Sequence, residues 1–313
     1  MDREVLKSEI KRLRSERNAV IMAHYYQIRE IQEIADFVGD SLDLAQQAAK
    51  TDADVIVLCG VHFMAETAKI ISPNKKVLIP DAGAGCSLAE SCPAGEFEAF
   101  IKAHPDHTVI SYVNTSAAVK ALSDLVVTSS NALQIINSLP QDEKIIFGPD
   151  RNLGNYIKSL SGRDMLIWDG ACHVHEQFSL QKILELKKQH PQAEIISHPE
   201  CKQDLLKVSD FIGSTSAQVA YVQKAEAGEF IVATECGVLF EMSRKCPGKS
   251  FIPAPPDDGS KACNECTFMR MHNLEKLYRC LRDEQPEVLV EEQLRRQALR
   301  SIQRMLNISA SLK

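Results

Sequence analysis

The sequence is short of positive charge. Its 313 residues carry 36 Lys and Arg against 42 Asp and Glu, a formal net charge of −6. A nucleic-acid-binding surface normally shows as a basic stripe, and none stands out. Long apolar runs are missing as well: no segment approaches the roughly 18–20 residues that a membrane span requires. The opening MDREVLKSEIKRLRSERNAV has no apolar h-region and mixes acids with bases. That reads against a secretory signal or a transit peptide. Low-complexity linkers are absent, so any units the chain forms should be tightly associated. The remaining composition, 44% hydrophobic and 25% charged, is that of an ordinary globular protein. A chain of this length usually divides into two or three domains. The expectation is a cytoplasmic protein that engages neither nucleic acid nor membrane.

Cysteine, by contrast, is plentiful, at ten residues. A reducing cytoplasm argues against a disulfide framework. Cys59 in DVIVLCG and Cys280 in LEKLYRCL read as small buried hydrophobes. The informative cysteines lie in loops rich in Gly, Pro and Asp. Cys263 and Cys266 form a CxxC pair, a spacing shared by zinc ribbons, dithiol redox sites and iron–sulfur clusters. A structural zinc site wants a second pair, which is lacking, although a histidine could complete a catalytic zinc site. A thioredoxin-like motif would sit directly between strand and helix, whereas here a long Pro-rich loop intervenes. The CxxxCxxC of radical enzymes does not occur.

The chain repeats itself three times. VIMAHYYQ (20–27), VISYVNTS (109–116) and EIISHPEC (194–201) are each a β-branched run ending in polar groups. Such segments read as buried strands running into loops. One column of this alignment holds His24, Tyr112 and His198; another holds Tyr26, Asn114 and Glu200. ADVIVLCGVHF, SDLVVTSSNAL and SDFIGSTSAQV are read as the next strand of each unit, with Ser129 and Thr215 equivalent and Ser130 and Ser214 beside them. VLIPDAGAGC, MLIWDGAC and SFIPAPPDDGSKACNEC close the units, placing a cysteine at the end of each: Cys86, Cys172 and Cys266. Helical patterns, among them IQEIADFVGDSLDLAQQAAK, SLQKILELKKQH and LEKLYRCLRDE, lie between the strands.

Strands alternating with helices imply an α/β protein of parallel sheets. The expected architecture is three small αβα domains in pseudo-threefold arrangement around a central cavity. Their expected bounds are 1–105 with an N-terminal helix, 106–190 and 191–280, followed by a helical extension over 281–313. Ligands of open parallel sheets bind beyond the carboxyl ends of the strands, where all these columns lie. Three cysteines from three domains suit a 4Fe–4S cluster with one iron lacking a protein thiolate. Such an iron is a Lewis acid rather than only an electron carrier.

AHYYQ, GDSLDLA, PDAGAGCSLAESCP, SYVNTSAAVKA, VVTSSNA, WDGACHVHE, SHPE, GSTSAQ and CTFMRM, in this order over about residues 20–280, resemble the quinolinate synthase family of bacterial NAD biosynthesis. The resemblance implies a transferase that condenses iminoaspartate with dihydroxyacetone phosphate to quinolinate, releasing phosphate and water. An aspartate oxidase or dehydrogenase would supply the iminoaspartate. It implies one 4Fe–4S cluster per chain, held by Cys86, Cys172 and Cys266. Cys92 is then a helix-entry residue. Cys263 is either a redox partner of Cys266 or an idle loop thiol.

The anionic substrates need hydrogen-bond donors and helix N-termini more than a basic patch. Ser41, Ser129, Ser214 and Thr215 each sit at the start of a helical pattern. They read either as caps or, by the resemblance, as contacts to carboxylate or phosphate oxygens. Glu200 and Tyr26 are the candidate general acid and base, with His24 and His198 orienting substrate or relaying protons. Tyr112 and Asn114 read as substrate contacts, and His175 as a phosphate ligand or proton shuttle near the cluster. His173, His104, His107 and His190 read as surface histidines. Tyr25, where many family members have Asn, is expected to alter wall packing only. Two rival readings are a different three-cysteine cluster enzyme, such as a reductive dehydroxylase or a diphthamide-type enzyme, and an iron–sulfur carrier or redox sensor.

Overall fold

Each of the β-branched runs forms a buried strand, and the chain contains three sheets of four parallel strands. The computed structural model describes residues 2–259 and 263–311. The first sheet holds β1 (Ala19–His24), β2 (Phe37–Gly39), β3 (Val55–Cys59) and β4 (Lys76–Leu78). The second holds β5 (Thr108–Tyr112), β6 (Leu125–Val127), β7 (Ile145–Gly148) and β8 (Met165–Ile167). The third holds β9 (Glu194–Ser197), β10 (Phe211–Ile212), β11 (Glu229–Ala233) and β12 (Ser250–Pro253). All three have the same order, the second strand lying outside the first and the third and fourth following on its other side. Helices flank each sheet, so the central strands are covered on both faces and read as continuous apolar runs.

The structure corrects the repeat at its second strand. IQEIADFVGDSLDLAQQAAK is not one helical pattern: it divides into a helix, Arg29–Ile34, the short strand β2, and a second helix, Ser41–Lys50. The partners of SDLVVTSS and SDFIGSTS are therefore ADFVGDS, not ADVIVLCGVHF. The latter is β3 and matches β7 and β11. The equivalence is fixed by an aspartate just ahead of each second strand. Asp36, Asp124 and Asp210 accept a hydrogen bond from the backbone N–H of Ile21, Val109 and Ile195, at 2.9, 2.8 and 2.8 Å. Each carboxylate thereby ties the outer strand to the first strand of its own sheet.

The terminal helices bind the units together. Arg3–Glu16 packs on Leu274–Asp283, and Leu274, Leu277, Cys280 and Leu281 share a core with Cys59 and β1. The segment after the third sheet thus returns to the first. Helix Glu292–Ser311 lies across Ala117–Leu122, β6 and His62–Ile71, spanning the first two sheets. Cys59 and Cys280 are buried hydrophobes as expected, and Cys92 is buried two residues before helix Ala94–Lys102. No described helix is long and apolar enough to cross a membrane.

Candidate active site

The sheet order reverses between the first and third strands, which opens a crevice at their carboxyl ends. The three crevices face one cavity. It is lined by His24, Tyr26, Ser41, Cys86, Tyr112, Asn114, Ser129, Cys172, His175, His198, Glu200, Thr215 and Cys266. Of the residues expected to be catalytic, substrate-binding or metal-ligating, Ser214 alone is missing from the described wall. Its side chain caps helix Thr215–Lys224 by accepting from Ala217 N–H, and it also accepts from Ser130 Oγ at 2.8 Å. Ser41 is not a cap: Asp40 caps its helix, in a reciprocal box with Asp43. Strand register puts Ser41, Ser129 and Thr215 at one equivalent position, since Gly39 pairs with His24 and Val127 with Tyr112, while Ile212 pairs with Ser197. No lysine or arginine is among the described residues of the wall.

Glu200 sits at the centre of the polar side, 2% exposed. Tyr112 Oη donates to its Oε1 at 2.6 Å, and His175 Nδ1 lies 2.9 Å from Oε2. Burial pushes this carboxyl up, but His175 and His198 beside it and the Tyr112 hydrogen bond outweigh that and hold it below the usual carboxylate range. Burial drives His24 down to about 4 and His198 down to about 3, so both rings are neutral near pH 7. Their Nδ1 atoms accept from the backbone N–H of Tyr26 and Glu200, at 3.1 and 3.3 Å. That leaves Nε2 as the protonated nitrogen of each ring.

The two acid–base candidates are linked. His175 Nε2 lies 3.1 Å from Thr234 Oγ1, which is 2.7 Å from Tyr26 Oη. Tyr26 Oη also bonds Thr215 Oγ1 at 2.9 Å. Burial and the nearby Glu200 raise the Tyr26 hydroxyl well above its ordinary pKa, so it stays protonated. Hydrogen bonds therefore join His175 through Thr234 to Tyr26, and Glu200 Oε2 lies 2.9 Å from His175 Nδ1 without the alignment of a hydrogen bond.

The three loop cysteines border the same cavity and are not disulfide-bonded. Burial raises Cys86 to about 12 and Cys266 to about 11, and pushes Cys172 well above its ordinary value. Among the described residues, these three thiols do not gather within 4.8 Å of one another, as ligands of a single ion would. Asn114, also in the wall, has its Oδ1 buried with no protein partner among the described residues.

The model of the quinolinate synthetase A protein family matches residues 8–307. The chain belongs to this family. Proteins named quinolinate synthase resemble it along almost their whole length. That of Synechococcus sp. is 56% identical over 305 residues, covering 97% of this chain and 95% of its own. That of Trichormus variabilis is 57% identical over 300 residues, covering 96% and 92%. That of Prochlorococcus marinus is 55% identical over 306 residues, covering 98% and 92%. The chain is an enzyme of that kind.

Several residues of this quinolinate synthase-type site escape a reading of the sequence. Thr234 and Glu235 follow β11, and Asp150 follows β7, the strands that the three-landmark repeat passes over. His173 is no surface residue: it is half-buried, with Nδ1 2.5 Å from Ser87 Oγ, and joins the Cys86 and Cys172 loops. His104, His107 and His190 stay away from the cavity. Tyr25 turns outward into a core with Ile196, Val219 and Val232 of the third unit. Cys263 has a thiol neighbour, Cys236, at 3.1 Å between sulfurs.

Proposed function

We propose that the chain condenses iminoaspartate with dihydroxyacetone phosphate to quinolinate, with loss of phosphate and water, in NAD biosynthesis. The observation that carries this reading is the convergence of three loop thiols and the polar strand ends of three units on one buried cavity. The residues present fit a 4Fe–4S cluster held by Cys86, Cys172 and Cys266. The donors are soft thiols, they come from three separate loops, and they are spread too widely for one ion. When bound, the cluster supplies an iron with an open position, a Lewis acid suited to loss of a hydroxyl.

The rest of the chemistry belongs to the chain. Both substrates are anionic, yet no lysine or arginine is among the described residues of the wall. Ser41 and Thr215 open their helices, and Ser129 precedes Ala132–Ser138. Hydroxyls at such positions, together with helix N-termini, suit carboxylate and phosphate oxygens. The neutral rings of His24 and His198 offer Nε2–H donors without a counter-charge. Asn114 Oδ1 awaits a donor from the ligand. Glu200, held ionised, is the general base, and Tyr26, held protonated, is the acid. His175 and Thr234 stand between them to return the proton, once the His175 ring turns its Nδ1 into line with Glu200 Oε2. An aspartate oxidase or dehydrogenase is the expected source of the imine.

The test is direct. The protein, reconstituted anaerobically with iron and sulfide, is given dihydroxyacetone phosphate and iminoaspartate generated in place, and quinolinate is measured by chromatography. Protein with an intact cluster that forms no quinolinate refutes the reading.

A further inference from the structure

Two fully buried carboxylates stand at matched places in the second and third units. Ala23, Ser111 and Ser197 pair with Cys59, Gly148 and Ala233, which brings the third strands into a common register. Two residues beyond these positions lie Val61, Asp150 and Glu235. Asp150 and Glu235 are both 0% exposed. Asp150 Oδ1 accepts from Leu153 N–H at 2.9 Å, and its Oδ2 accepts from Cys172 N–H at 3.0 Å. Glu235 Oε2 accepts from Gly237 N–H at 2.7 Å, and its Oε1 accepts from Cys266 N–H at 3.2 Å and from Arg270 at 2.8 Å. In each case one oxygen grips the start of the helix that follows the strand. The other grips the amide of the unit's own loop cysteine.

We infer that Asp150 and Glu235 are positioning residues that set the Cys172 and Cys266 loops for the metal cluster, an inference that rests on reading those cysteines as its ligands. Helix capping alone does not account for the arrangement. Capping Arg151–Ser161 uses one oxygen of Asp150, and the N-cap of Val238–Lys245 is Gly237, not Glu235. What the two acids share is the cysteine amide. A buried carboxyl is costly unless hydrogen-bonded; burial pushes Asp150 well above the usual carboxylate range and Glu235 up to about 7, and both oxygens of both groups are engaged. Fixing the amide fixes the cysteine backbone and hence the direction of its Cα–Cβ bond, leaving only the χ1 rotamers to place Sγ. Outer partners of this sort orient metal ligands. The first unit, with Val61 at this position, uses the backbone instead: His62 N–H donates to Ala84 O at 2.7 Å, two residues before Cys86.

The test measures iron loss to a chelator from the anaerobically reconstituted protein, together with the electron paramagnetic resonance of its reduced cluster. Glu235→Gln and Asp150→Asn each turn one acceptor oxygen into an amide donor facing a backbone N–H. Both should lose iron about 10- to 100-fold faster than wild type and show an altered resonance, the range typical of outer-partner substitutions. Glu235→Ala and Asp150→Ala extend the series, and thermal melts of the metal-free proteins separate a loosened loop from a damaged fold. Glu241→Gln is the control, a buried acid on the following helix that pairs with Arg244 and Lys245. Wild-type rates and spectra in both conservative variants overturn the inference. So does a rise in lability that merely follows a fall in metal-free stability. A wild-type protein that takes up no cluster overturns the iron–sulfur reading itself, a distinguishable failure.

Discussion

Replacing Glu200 by Gln removes one negative charge from the centre of the cavity and leaves the shape of the side chain. Its structural effect can be worked through. Tyr112 keeps an acceptor at Oε1, now neutral, which costs about 1 kcal/mol because charge-assisted bonds are roughly twice as strong as neutral ones. The new amide NH₂ faces His175 Nδ1, and the ring answers by donating from Nε2 to Thr234 instead. Relief of the desolvation of a buried ion offsets both changes. Stability should therefore move by no more than about 2 kcal/mol. Turnover should fall by about 10²–10⁴, the usual worth of a general base and equivalent to about 3–5 kcal/mol of barrier. Quinolinate formation at saturating substrate and urea denaturation of the same preparation decide the matter. A variant within about tenfold of wild-type turnover, below the range expected for a base, refutes the assignment. So does a loss of activity that tracks a loss of stability. The pH dependence has a fixed sign. Glu200 is depressed in the folded state, so its contribution to stability is present above the ordinary carboxylate pKa and is lost progressively as pH falls from there through about 2.

Alanine at Cys86, Cys172 or Cys266 should abolish the cluster absorbance, and Cys263→Ala should keep it; the reverse pattern at 263 and 266 refutes the ligand assignment. His198, held neutral at about 3, leaves unbound a proton that the unfolded chain takes up below about pH 6.5. Its burial should therefore cost about 2 kcal/mol of stability between about pH 6.5 and 5, and His198→Gln should remove that share of the slope in urea denaturation; identical slopes refute it. Asn114→Ala should raise KM about tenfold or more with a smaller change in kcat, as expected for a lost hydrogen bond in a buried site; an unchanged KM refutes its role as a substrate contact. Mild oxidation of the metal-free protein by a small disulfide should join Cys263 to Cys236, its 3.1 Å neighbour, and peptide mapping that finds Cys263 joined to Cys266 refutes this.

The polar strand ends were legible because each lies one or two residues beyond an apolar run. His24, Tyr112 and His198, and Tyr26, Asn114 and Glu200, could be aligned without coordinates. The second strand of the first unit was not legible. In IQEIADFVGDSLDL the residues Ile31, Ile34, Val38 and Leu42 fall at helical spacing, and β2 is a three-residue edge strand. The signal that survives is an aspartate, two apolar residues, a glycine or valine, then polar groups. It occurs as DFVGDS, DLVVTS and DFIGST, and its aspartate has the same backbone partner in every unit. Aligned on it, Ser41 takes its place beside Ser129 and Thr215, and β7 and β11 emerge as repeats of β3. Asp150, Thr234 and Glu235 follow those passed-over strands and were invisible for that reason.

The corrected columns also show where the three units part. At the tip of the first strand they carry Tyr26, Asn114 and Glu200; two residues past the third strand, Val61, Asp150 and Glu235. The third unit alone supplies a carboxylate in both places, and Thr234 between Tyr26 and His175 is also its own. The second unit contributes Tyr112, which donates to Glu200, and Asn114, which holds an open acceptor. The first contributes Tyr26, whose hydroxyl is bonded by two threonines of the third. A symmetric frame thus carries an asymmetric site. Each unit gives a thiol and a hydroxyl, but the hydrogen bonds of the proposed acid–base pair lie along the seam between the first and third units, with His175 as the second unit's link into it. Substitutions along that seam should change the acid–base limbs of the rate, while equivalent substitutions in the second unit at Asn114 or Ser129 should change binding.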